Sequence, residues 1–162
     1  MMLNLGEASA AAVKALENQN IHMWPEQSQQ PKMPKDISDL DSDELSELFS
    51  KLTAWSNFVA GQLAAAQVDE TFIDKKLESI RAQLLLTKGA TKAKGDTVTL
   101  IKAQVNSDPM IVELEEKFMA AYAYRKMVEV VSNNFERDVA LVSREITRRT
   151  NDFRSRKDRF TV

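Results

Sequence analysis

From residue 45 onward the apolar residues recur at helical spacing through two long stretches. Leu45, Leu48, Leu52, Trp55 and Val59 follow one another at intervals of three, four, three and four, which places their side chains on one helix face. The phase slips near Leu63 and resumes through Ile73, Leu77, Ile80 and Leu84, a stutter of the kind that locally changes supercoil winding. Asp41, Ser42 and Asp43 supply candidate caps and an acidic first turn for the positive end of the helix dipole, so the helix is predicted to begin there. It is predicted to end by Lys88-Gly89.

The second stretch has a sharper start. Asn106-Ser107-Asp108-Pro109 offers Asp108 as cap and Pro109 at the first helical position. Ile111, Leu114, Phe118, Ala121, Val128, Phe135, Val139, Val142 and Ile146 then keep an unbroken heptad frame, with Arg125 and Ser132 as its polar exceptions. The expected fold is all-α: a long helical hairpin with coiled-coil-like packing. A helix of about 40 residues is roughly 60 Å long at 1.5 Å per residue. A lone pair of such helices buries little surface, so the hairpin is expected to be completed by homo-oligomerisation beyond a dimer.

Two segments lie outside these stripes. Thr97 to Ile101 reads as a short strand or as helix; periodicity over so few residues does not decide. A helix from Asp96 to Val105 would place Leu100, Ile101 and Val105 on one side, able to lie back on the hairpin. Its helical neighbours favour that reading. Residues 1–35 read as a flexible N-terminal arm, because Pro25, Pro31 and Pro34 lie among Gln, Ser and Lys and such a composition buries little. Within the arm, Ala8 to Leu16 is a helix former, and Ile21-His22-Met23-Trp24 is a docking segment for a partner or a cluster folding back on its own core. The expected organisation is an arm at 1–35, a helical hairpin domain at 36–150 with a basic hinge at 88–105, and a basic C-terminal tail at 151–162.

Composition narrows the chemistry. With 162 residues, 43% hydrophobic and 28% charged, the chain suits one modest domain. There is no cysteine, which removes disulfides, thiolate nucleophiles and cysteine metal sites. His22 is the single histidine and falls in the arm, so a histidine-dependent hydrolase has almost no material. Neither a G-x-x-x-x-G-K loop nor a G-x-G-x-x-G turn occurs. A non-enzyme is expected, with no cofactor and no metal. No stretch approaches the roughly 20 apolar residues of a membrane span, and Met1 to Val13 lacks a signal-peptide core, so the expectation is no membrane partner and a cytoplasmic location, the host cytoplasm for a phage-encoded chain.

The net charge of -2 conceals an asymmetry. Asp36, Asp39, Asp41, Asp43, Glu44 and Glu47 form an acidic run, whereas Arg137, Arg144, Arg148, Arg149, Arg154, Arg156, Lys157 and Arg159 dominate the end of the chain. A second cationic group, Lys88, Lys92, Lys94 and Lys102, sits with Gly89 and Gly95 where the hairpin must turn. Such groups either join acidic subunits or hold a phosphate backbone. The candidate DNA-binding residues are Lys88, Lys92, Lys94 and Lys102 at the hinge, supported by Arg144, Arg148 and Arg149. Aromatics near them are few, Phe153 and Phe160 in the tail, so binding would be backbone-directed and salt-sensitive, without sequence readout.

Over roughly residues 45 to 149 the order of elements resembles the UvsY-like recombination mediators of tailed phages. The residues carrying the resemblance are Trp55 in the first helix, the hinge Lys92-Ala93-Lys94-x-Asp96 beside that family's K-A-R-x-D motif, Ser107-Asp108 before a long helix, and Ser143-Arg144 late within it. Thr97 and Val98 stand where the family pattern looks aromatic, and Lys94 where it has arginine, whose planar fork suits phosphate. The resemblance implies an oligomeric, helix-rich protein that binds single-stranded DNA and helps a RecA-like recombinase load against a single-strand-binding protein, with Lys92 and Lys94 as DNA contacts. The alternative is a non-enzymatic structural or assembly protein, for instance a phage scaffold or adaptor, in which the basic clusters join subunits.

Overall fold

Asp41 starts the first long helix by accepting hydrogen bonds from the Asp43 and Glu44 N–H groups at 2.9 and 2.8 Å, while Glu44 accepts from the Asp41 N–H at 2.9 Å. This reciprocal cap satisfies donors that the first turn leaves unpaired. The computed structural model describes residues 5–23, 29–91 and 97–159, with side chains of the last helix through residue 154. Its helices are α1 (Glu7–Glu17), α2 (Ser42–Ala90), α3 (Val98–Asn106) and α4 (Pro109–Arg159), with a 3-10 turn at Ile37–Asp39. No strand occurs among the described residues. At 49 and 51 residues, α2 and α4 are each about 75 Å long.

The two long helices run antiparallel. Trp55 meets Phe135 near one end of the contact, Glu70 meets Arg125 in the middle, and Arg81 meets Glu115 toward the other. Every heptad position from Ile111 to Ile146 is buried or half-buried, the polar exceptions Arg125 and Ser132 included. One apolar cluster joins Leu45, Leu52, Trp55, Phe58 and Val59 to Phe135 and Val142; a second, toward the turn, joins Leu77 to Val105, Ile111 and Leu114. Between them the Arg125 guanidinium bonds Glu70 and lies 3.1 Å from Glu129. Sliding the helices past one another would strand these half-buried charges, so the pair favours one register.

Trp55 organises the larger cluster. Its ring stacks on Phe135 with centroids 6.2 Å apart and meets Phe58 edge-on at 5.3 Å, and its indole N–H donates to the Gln29 carbonyl at 2.5 Å. That bond belongs to the proline-rich segment. Residues expected to form an arm apart from the core therefore lie against it over their described parts. Asp69 of α2 clasps the start of α1, accepting from the Gly6 N–H at 2.7 Å, the Ser9 N–H at 2.9 Å and the Ser9 hydroxyl at 2.5 Å. A Cβ at Gly6 would sit 2.5 Å from the Asp69 carboxyl carbon, so only glycine lets the carboxylate approach so closely. Val13 enters the main cluster, and Met23 packs at its edge with its carbonyl 3.0 Å from where a Cβ of Gly61 would be. Phe58, Gly61, Ala65 and Asp69 follow at spacings of three, four and four. This second line on α2 explains the phase slip: the helix is covered on two sides there.

Residues 97–101 are helical or lead into helix, with Thr97 accepting from the Leu100 N–H at 3.2 Å as the cap of α3. Ile101 and Val105 are buried as the helical reading requires, but Leu100 is 45% exposed; one turn of a nine-residue helix offers too narrow a face for all three. The hinge is shorter than 88–105, since α2 runs through Gly89 to Ala90 and α3 occupies 98–106. Nor does a separate tail begin at 151. The stretch to Arg159 contains neither glycine nor proline, and α4 continues through it.

Leu52 is fully buried in the main cluster. Leu52→Ala is expected to cost about 2–5 kcal/mol of stability, whereas Leu86→Ala, at a position 75% exposed, should change it by no more than about 0.5 kcal/mol. Urea unfolding followed by circular dichroism measures both.

Candidate nucleic-acid interface

The two cationic groups occupy opposite ends of the hairpin. At the turn, the Lys88 ammonium donates to the Gln104 carbonyl at 3.1 Å and lies 3.7 Å from the Asp108 carboxylate. Asp108 in turn accepts from the Met110 N–H at 3.1 Å, capping α4. Lys88 therefore ties the end of α2 to the α3–α4 corner. Its side chain remains 30% exposed, enough to share its charge with a polyanion at the surface. Lys102 is exposed on α3. Lys92 and Lys94 lie outside the described residues, between Thr91 and Thr97 in the chain.

At the other end the arginines divide. Arg149 is built into the fold: its guanidinium donates to the carbonyls of Leu40 at 2.7 Å, Ser38 at 3.1 Å and Ile37 at 3.3 Å, and to Glu145 at 2.7 Å. These bonds close the carbonyl end of the 3-10 turn against α4. With its donors aimed inward, Arg149 has little left for a phosphate. Arg148 is more open but is held by Glu145 at 2.7 Å and Asp152 at 3.0 Å. Arg144 is exposed. The proposed site residues thus do not form one surface: Lys88 and Lys102 share the turn, and Arg144, Arg148 and Arg149 share the far end.

Glu145 holds the far end together. Hydrogen bonds from Arg148, and then from Arg149, lower its carboxyl from the ordinary 4.5 to about 2, because both favour the charged form. The sequence showed Arg148 and Arg149 as cations but not this sink. Its signal was spacing alone, since Glu145 stands three and four residues before the two arginines. Near the turn the sequence gives no site role to Arg81 or to Asn106, which there belongs to the start signal of α4; with Lys102 they border a cleft between α2 and α3. Arg81 follows Ile80 and precedes Leu84 on the inward stripe, where a cation reads as a flanking surface charge.

A lowered carboxyl pKa contributes stability that is fully present above the ordinary value and is lost as pH falls through the folded one. The stability difference between the wild type and Glu145→Gln is therefore expected to hold steady above about pH 4.5 and to shrink progressively toward pH 2. Paired urea titrations across that window measure it; a difference unchanged from pH 5 to pH 2 would show that the arginines draw no such benefit from the carboxylate.

No family model, curated protein or solved structure matches this chain in the comparisons made.

Proposed function

We propose that the protein is a non-enzymatic, oligomeric single-stranded-DNA-binding protein that acts as a recombination mediator, helping a RecA-like recombinase load against a single-strand-binding protein. The observation that carries this reading is the grouping of cations at the hairpin turn. Lys88 and Lys102 flank, in sequence, the segment that bears Lys92 and Lys94, and Lys102 is exposed on α3. Cations in one place neutralise successive phosphates and release their counterions. The turn lacks stacking aromatics, so contact is with the backbone and independent of base sequence. The recombinase and the single-strand-binding protein enter through the family resemblance alone.

Replacing both Lys92 and Lys94 by alanine should leave helicity and subunit number intact, because neither residue belongs to an apolar stripe. It should weaken binding to fluorescent single-stranded oligonucleotides of every sequence and reduce the magnitude of the salt slope by up to about two per bound subunit. Fluorescence anisotropy at two salt concentrations measures this. Unchanged affinity and slope would remove these lysines from the interface.

The second reading, a structural or assembly protein, draws support from the outer face of α4. Met119, Met127 and Val130 are 59, 70 and 56% exposed, and with Val112, Ala123 and Leu141 they form a line on the side away from the buried seam. An apolar line of this length on a charged helix suits contact with further subunits. A homo-oligomer serves both readings, and coiled-coil-like packing between subunits would complete the hairpin. Light scattering at micromolar concentration is expected to show a species larger than a dimer, and the double substitution Met127→Gln, Val130→Gln to shift it toward monomer with helicity kept. A compact wild-type monomer would contradict the oligomer.

A further inference from the structure

Among the described residues, one buried side-chain nitrogen or oxygen lacks a hydrogen-bond partner: Nε of Arg81. A buried N–H without an acceptor forfeits the interactions it had with water. The rest of the guanidinium is not idle, since Nη2 is bonded to Glu115 of α4. That bond fixes the planar group from one side; Nε itself is enclosed, while 34% of the Arg81 side-chain surface stays exposed. Arg81 borders a cleft of about 370 Å³ between α2 and α3, together with Leu85, Lys102, Val105 and Asn106. Its polar borders are two cations and a carboxamide, and its remaining borders are apolar.

We propose that this cleft binds a phosphate group, with Arg81, Lys102 and Asn106 as its ligands. The Arg81 guanidinium and the Asn106 amide present planar N–H donors, and the Lys102 ammonium supplies a charge free to follow an oxygen. Glu115 offsets the charge of Arg81, so Lys102 provides the net attraction and a single phosphate binds modestly. The cleft is larger than one phosphate, and Leu85 and Val105 offer apolar surface to whatever carries it. A phosphodiester of single-stranded nucleic acid and a free phosphate present the same oxygens. The nucleic-acid source rests on the function proposed above; the phosphate chemistry of the cleft does not.

The test uses the full chain in nitrogen–proton correlation spectra that observe the Arg81 Nε–H and the Asn106 side-chain amide. Inorganic phosphate and a thymidine oligonucleotide are titrated separately, with ionic strength held constant by chloride. Both resonances are expected to move saturably with each probe. Lys102→Gln, at an exposed position that leaves the core untouched, should weaken phosphate binding about tenfold, the scale of one charged hydrogen bond. Saturation by phosphate without any oligonucleotide binding would keep the cleft and overturn the DNA-binding reading. Oligonucleotide binding seen by anisotropy, with Arg81 and Asn106 unmoved by either probe, would keep that reading and overturn the cleft. The proposal also falls where neither probe moves the two resonances, or where Lys102→Gln leaves phosphate affinity unchanged.

Discussion

The structure depends on the burial of two long apolar stripes against each other. A helix of about 50 residues with an exposed stripe has no stable place in water, and α2 and α4 solve this by running antiparallel with Trp55, Leu52, Phe135 and Val142 at one end and Leu77, Ile111 and Leu114 at the other. Hydrophobic burial sets no register by itself, because one turn of slip would still bury leucines against valines. The polar middle supplies it. Arg125 and Ser132 interrupt the seam, and Arg125 finds Glu70 at a single alignment of the helices. The peripheral elements dock on that frame: α1 through Asp69 and Val13, the proline-rich segment through the Trp55 indole, and α3 through Ile101 and Val105.

Electrostatics then distinguish cations that serve the fold from those that face outward. Arg149, Arg148 and Glu145 close the far end of the hairpin around three backbone carbonyls. Lys88 does a looser version of the same work at the turn. What remains outward and unpaired among the described residues of these two ends is Lys102 on α3 at the turn, and Arg137, Arg144 and Arg154 toward the other end. The functional proposal rests on the turn because Lys92 and Lys94, which carry the family resemblance, belong to that part of the chain.

Much of the fold was legible because period and caps act locally. Asp41 and Asp108 were readable as helix starts from their type and place, and the heptads of α4 named its buried face through Ile146, since a side chain's direction on a helix follows from its number. Long-range pairings were not legible. Nothing local shows that Asp69 would cap α1 across 60 residues, that Trp55 would donate to Gln29, or that Arg149 would turn inward to the Ile37–Asp39 segment. The arm differs from the expectation for that reason: prolines among polar residues point away from a packed segment, whereas its docking relies on Val13 and Met23, on a few specific hydrogen bonds and on the space left at Gly6 and Gly61. The charged sites were legible as clusters of residue type, whereas whether each cation faces solvent or a carbonyl depends on tertiary contacts.

The central proposal is that single-stranded nucleic acid is held chiefly at the hairpin turn. Amide hydrogen exchange of the full-length protein, compared with and without a saturating single-stranded oligonucleotide, tests it directly. Slowed exchange concentrated in residues 81–108, with residues 137–159 unchanged, is the expected pattern. Protection confined to residues 137–159, or none at the turn despite saturation, would contradict it.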